Sequence, residues 1–107
     1  MNAVTKQAPA ILEFAPVIKN TLRGFARVRL PSGMVLVDCA LHVGSNGRAW
    51  ASPASKPMLD RNQNVMRDAE GKIRYVPTLE FVDKSTRDRF SDAVVAAVRE
   101  RYPDALT

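Results

Sequence analysis

The stretch Thr21–Val43, TLRGFARVRLPSGMVLVDCALHV, restricts the fold more than any other part of the chain. It reads as two β-strands joined at Pro31-Ser32-Gly33. Side chains alternate along a strand with period two, so Leu22, Gly24, Ala26, Val28 and Leu30 share one face of the first strand. Arg23, Phe25, Arg27 and Arg29 share the other. One face is small and apolar and suits a core. The opposite face sets three guanidinium groups around one aromatic ring.

The second strand, Met34–Val43, places Val35, Val37, Cys39, Leu41 and Val43 on one side and Met34, Leu36, Asp38, Ala40 and His42 on the other. Both sides are partly apolar, as in a central strand covered on at least one face. Gly44-Ser45-Asn46-Gly47 supplies a hairpin turn into a short strand, Arg48–Ser52, where Arg48 and Trp50 share a side. Ile11–Ile18 is expected as a first strand, confined to an edge or bulge by Pro16, after a flexible tail over residues 1–10.

Residues 53–71 show no sustained period and collect Pro53, Pro57, Asn62, Asn64 and Gly71, so they are expected to form a long loop or arm. Lys72–Phe81 reads as a strand with Ile73, Tyr75, Leu79 and Phe81 facing the core and Lys72 and Arg74 pointing away. A helix is expected over Ser85–Tyr102, with Ser85 and Asp88 spaced as a capping box. Its stripe of Phe90, Ala93, Val94, Ala97 and Val98 packs on one face, and Pro103 ends it. Burial of Phe90, Val94 and Val98 contributes roughly 1.5–3 kcal/mol each. No internal repeat or low-complexity tract stands out. These elements define an α+β class: an antiparallel twisted sheet of four or five strands with one C-terminal helix packed on a face.

A chain of 107 residues is expected to form a single domain, over residues 11–107. Charges and prolines break its apolar runs well short of the ~20 residues a membrane helix needs, and no secretory signal pattern is legible. Cys39 is the single cysteine, so no intrachain disulfide can form, and a reducing cytoplasmic compartment fits this composition. One Cys and one His, His42, do not supply the four ligands of a Cys/His metal site. Phosphate-binding loops, dinucleotide glycine fingerprints and nucleophile elbows are missing, and no cofactor or enzymatic activity is expected. Asp38 and His42 stand four residues apart on one strand face, too far to pair directly as acid and base.

The net charge of +5 is unevenly spread. Residues 19–74 hold ten Lys/Arg against four Asp/Glu, whereas the rest of the chain is close to balanced. A basic surplus gathered in one segment points to a polyanion-binding surface, and a solvated, soluble surface is the alternative. The Arg23/Phe25/Arg27/Arg29 face matches a groove that holds phosphates and stacks a base on Phe25. Arg48 and Trp50 extend that platform unless Trp50 is instead buried under the helix. Lys56, Arg61, Arg67, Lys72 and Arg74 belong to the arm and its exit, as backbone clamps or ordinary surface charges. The competing reading is a protein interaction or dimerisation module, since Arg and aromatic residues serve interfaces equally well.

The order of these segments resembles the stage V sporulation protein G (SpoVG) family from about Ile11 to Tyr102. LRGFARVRL leads into a Val-rich strand containing Asp38, and the GSNG turn precedes an aromatic-bearing strand. Ser52-Pro53-Ala54-Ser55-Lys56 is similar to the family's Met-Pro-Ser-Lys, and Glu70-Gly71-Lys72-Ile73-Arg74 to its Asp-Gly-Glu-Phe-Arg. Ser85-Thr86-Arg87 with Asp92-Ala93-Val94 is similar to its Ser-Thr-Arg and Asp-Ala-Val. The segment Pro57–Ala69 is longer than the family pattern, and no basic extension follows the helix, which puts the expected contact surface on the sheet and arm. The resemblance implies an antiparallel sheet with a C-terminal helix, a homodimer, and binding to DNA or RNA. The layout is also similar, at the level of fold alone, to PC4-like single-strand binders.

Overall fold

The computed structural model describes residues 8–107. Four antiparallel strands form the main sheet in sequence order: β1 (Ala10–Lys19), β2 (Leu22–Arg29), β3 (Val35–Val43) and β4 (Ala49–Ser52). A separate pair, β5 (Ser55–Pro57) and β6 (Tyr75–Pro77), follows, and the helix α1 (Lys84–Arg101) closes the chain. The expected α+β architecture is therefore the observed one. Of the tail expected over residues 1–10, positions 1–7 lie outside the described residues, and Ala10 already belongs to β1.

The core lies between one face of the sheet and α1. Ala26, Val28, Cys39 and Leu41 from the two central strands meet Val94, Val95 and Val98 of the helix, with Ile11, Val43, Ala51 and Leu106 around them. Phe14, Phe90 and Tyr102 seal the margins. Polar side chains tie the helix to both sheet edges. Ala51 N–H of β4 donates to Ser91 Oγ at 2.9 Å, and the Arg101 guanidinium donates to the Ile11 carbonyl of β1. Each bond satisfies a backbone group at a sheet edge that would otherwise need water.

The N-cap lies two residues before the Ser85 of the capping box read in the sequence. Asp83 is the N-cap, and its carboxylate accepts the Thr86 N–H at 2.8 Å. That bond, with the Thr86 hydroxyl and Arg89 helping, holds the Asp83 carboxyl below its ordinary range. Ser85 lies inside the first turn and accepts from Arg89, while Asp88 pairs with Lys84 at 2.7 Å.

Two bulges revise the face assignments. Pairing runs Ala26↔Cys39 and then Val28↔Leu36, so β3 carries one extra residue at Val37-Asp38. Leu36 is thereby turned onto the core, while Val35 and Val37 reach the open face, Val37 with 62% of its surface exposed. The expected continuity of Val35 and Val37 with Cys39 is corrected, because a one-residue insertion reverses every later face. The second bulge falls in β2 at Arg23, between Leu22↔His42 and Gly24↔Leu41. It moves Leu22 to the open face beside His42.

Residues 53–71, expected as a long loop or arm, form an arm with paired backbone of its own. From the β5–β6 stem the arm divides into two hairpins, bridged at Leu59↔Val65 and at Arg67↔Ile73. At the fork, Met58 N–H donates to Arg74 O, Arg74 N–H to Met66 O, and Met66 N–H to Met58 O, at 2.8, 2.9 and 2.8 Å. Three backbone units at a spacing of eight thus close a ring of hydrogen bonds. The two branches are copies: MLDRNQNV and MRDAEGKI share Met, Asp and a final β-branched residue in register. In each, one Asp carboxylate oxygen accepts two backbone N–H groups, Asn62 and Asn64 on Asp60, Glu70 and Lys72 on Asp68. In each, the fourth turn residue is left-handed, Gln63 at φ 67° and Gly71 at φ 83°. An eight-residue internal repeat is therefore present where none was expected. The Lys72–Phe81 strand shrinks to Tyr75–Pro77, and Tyr75, expected in the core, is 58% exposed.

No buried residue occurs between Ala51 and Val94. The molecule measures 51 × 29 × 25 Å with a radius of gyration of 15.5 Å. A compact chain of this length has roughly 13 Å, and the excess is the mark of an arm that stands off the body.

Candidate nucleic-acid interface

The helix covers one face of the main sheet and leaves the other open. Register places the open-face residues in rows. Phe25 of β2 stands between Ala15 of β1 and Ala40 of β3, with Ser52 of β4 beyond. The small alanines on either side leave the ring of Phe25 half-exposed. In the next row Leu22, His42 and Trp50 are neighbours. The His42 and Trp50 rings stack with centroids 5.1 Å apart and planes 8° from parallel. Trp50 keeps 37% of its surface exposed and is not buried beneath the helix, where Ala51 takes the core position. The turn that fixes this pairing is a five-residue hairpin, closed by Gly44 N–H to Arg48 O and Gly47 N–H to Gly44 O, with Gly47 at φ 81°.

Burial lowers the pKa of His42 below the ordinary imidazole value, and the Thr21 hydroxyl lies 3.0 Å from its Nδ1. The ring is therefore neutral at physiological pH, a flat surface and not a third cation. Burial likewise pushes the Cys39 thiol up to about 12, in line with its expected place in the core.

Of the four residues expected on one face of β2, three are found together. Phe25, Arg27 and Arg29 project from the open side, Arg27 opposite Glu13 and Arg29 opposite Ala10. Among the described residues the ion pairs are Lys84–Asp88 and Arg87–Asp88, so neither Arg27 nor Arg29 is held by a carboxylate. Arg23, the bulge residue, leaves the row. Its guanidinium donates to the carbonyls of Asn20, Leu22 and Thr107. Arg48 lies just before β4, lining a groove with Asp92 and Arg99 on the α1 side and sharing a second hollow with Trp50.

The arm cations are exposed and dispersed: Lys56 on the stem, Arg74 at the fork, Arg61 at the tip of the first branch, Arg67 and Lys72 on the second. Arg67 donates Nη1 to Gly71 O at 2.8 Å within its own branch. The root of the arm borders the open face, because Ser55 and Tyr75 line the same hollow as Phe25 and His42.

Sequence reasoning gave no binding role to His42, Asp38 or Tyr75. The His42–Trp50 pairing was legible in principle, since the GSNG turn fixes the register of the strands it joins. Asp38 and Tyr75 had no comparable signal, for their positions depend on a bulge and on the arm's fold. No family model, curated protein or solved structure matches the chain. The class defined here is thus an α+β domain with a helix-backed meander sheet, one uncovered aromatic and basic face, and a branched β arm at its border.

Proposed function

We propose that the protein is a non-enzymatic binder of single-stranded DNA or RNA, of the SpoVG-like kind, acting in the cytoplasm as a small accessory or regulatory factor, as a homodimer. The observation that carries this reading is the open sheet face itself: half-exposed Phe25 and the His42–Trp50 stack beside Arg27 and Arg29, which have no carboxylate partner among the described residues. Flat rings accept unstacked bases of any sequence, and adjacent guanidinium groups neutralise the phosphates between them. A twisted sheet offers such rings to a single strand more readily than to a duplex groove. The root of the arm borders the same face, and the cations dispersed along the arm extend the positive surface away from it. No small-molecule substrate is part of this reading. No helix among the described residues is long and apolar enough to cross a membrane.

The test is anisotropy of a labelled single strand and a matching duplex at two salt concentrations. Salt-sensitive binding that favours the single strand supports the reading, and absence of binding at low salt refutes it. Exposed Val35 and Val37 at the far end of the face favour a second reading, a dimer or partner-protein interface. In that case Arg27→Ala/Arg29→Ala yields monomers in sedimentation.

A further inference from the structure

Asp38 is one of two carboxylates on the open face; Glu13 stands opposite Arg27 on β1, and Asp38 lies on β3 beside the rings. It belongs to the β3 bulge, whose effect is to aim a side chain out of the regular ladder. Its carboxylate opens onto a hollow of about 570 Å³ lined by Leu22, Phe25, His42, Ser52 and Tyr75, a size within the range of sites that enclose a small molecule. The walls are mostly rings and aliphatic carbon, with Ser52 and Ser55 among them, and no Lys or Arg lines the hollow. Among the described residues no ion pair occupies Asp38. A phosphate is repelled there, so the part of a strand that enters is a base.

The hydrogen-bonding chemistry of a carboxylate selects which base. An ionised carboxylate only accepts, with two oxygens side by side. Adenine and cytosine present one amino donor next to a ring-nitrogen acceptor. Thymine and uracil present one N–H between two carbonyl acceptors. Guanine alone presents two adjacent donors, N1–H and the N2 amino group, matching the two carboxylate oxygens. Resting on the single-strand reading above, we infer that the hollow is a guanine-binding site, in which Asp38 accepts from N1–H and N2–H while the base lies against the Phe25 and Tyr75 side chains. Binding along the face is sequence-tolerant, and this one position prefers guanine.

The test uses labelled nine-nucleotide strands: all thymine, one central guanine, or one central inosine, which lacks the N2 amino group. A bidentate contact of this kind is worth about 1–3 kcal/mol of discrimination, so the guanine strand is expected to bind roughly tenfold tighter than all-thymine. Inosine falls between. Asp38→Asn and Asp38→Ala, each checked for unchanged far-UV circular dichroism, are expected to bring the guanine-to-thymine affinity ratio to about one. Equal affinity of the wild-type chain for the guanine and thymine strands overturns the inference and leaves the single-strand reading standing. A guanine preference that survives both substitutions overturns it too. Binding to none of the strands at low salt refutes the single-strand reading, and the guanine site with it.

Discussion

His42 and Trp50 face each other across β3 and β4 with ring centroids 5.1 Å apart and planes 8° from parallel. The pair sits on the sheet face that the helix leaves open, and it makes one continuous aromatic surface from two strands. Burial holds the pKa of His42 below its ordinary value, so the ring that stacks on the indole is neutral at physiological pH.

This gives a defined pH response. Because the folded pKa of His42 lies below its unfolded value of about 6.5, its contribution to stability is complete above that pH. It is lost progressively as the pH falls through the folded pKa, since the unfolded chain takes up the proton first. His42 is the single histidine, so its C–H resonances titrate alone in NMR. The expected midpoint is below 6.5, and a midpoint at or above that value contradicts the burial of His42.

Gly24 and Phe14 make a second close approach, on the covered face. A Cβ at position 24 would come within 2.5 Å of Phe14 Cζ and 2.6 Å of the Ala15 carbonyl oxygen. Gly24→Ala is expected to destabilise the fold by about 1–3 kcal/mol, measured by denaturant unfolding. Adding Phe14→Leu recovers only part of the loss, because the Ala15 carbonyl is backbone and cannot move aside.

The two arm branches supply an internal control for backbone strain. Gln63 and Gly71 occupy the same turn position with positive φ, and only glycine adopts it without steric cost. Gly71→Gln is expected to raise the local opening of its branch by about 1 kcal/mol, seen as faster hydrogen exchange at Lys72 and Arg74. Gln63→Gly is expected to slow exchange at Asn64 and Met66. Equal effects of opposite sign on global stability are not expected, because the arm has no buried residue.

Cys39 is fully enclosed between the sheet and the helix, and its thiol is pushed up to about 12. Ellman's reagent at pH 8 is expected to leave the native protein unmodified and to react at the rate of global unfolding. Fast modification without unfolding contradicts the packing of Cys39 against the helix.

The sequence made the main sheet and the helix readable for a physical reason. Ala26, Val28 and Leu41 alternate cleanly, and Val94 and Val98 repeat at helical spacing, so local pattern and tertiary burial agree. It failed where the chain departs from regular pairing. The bulge at Val37-Asp38 reverses a face without altering composition, and the Arg23 bulge removes one cation from an otherwise uniform row. The branched arm was hidden because its hydrogen bonds join Met58, Met66 and Arg74 through backbone atoms, which leave little trace in side-chain periodicity. The repeated Asp turns were the available signal. Of the candidate site, Phe25, Arg27 and Arg29 were legible as a shared surface, while the sequence left Trp50 between that surface and burial under the helix. The contribution of His42 required the register set by the Gly44–Gly47 turn.

The proposed function assigns single-strand binding on the open face to Phe25, Trp50, Arg27 and Arg29. Anisotropy of a labelled single strand, titrated with wild type, Phe25→Ala and Arg27→Ala/Arg29→Ala across a salt series, tests it most directly. The double arginine variant is expected to weaken binding and to lower the slope of log affinity against log salt by about 1.4, for two phosphate contacts on a single strand. Phe25→Ala is expected to weaken binding by about 1–3 kcal/mol with the slope unchanged. Identical affinities and slopes for all three proteins contradict that assignment.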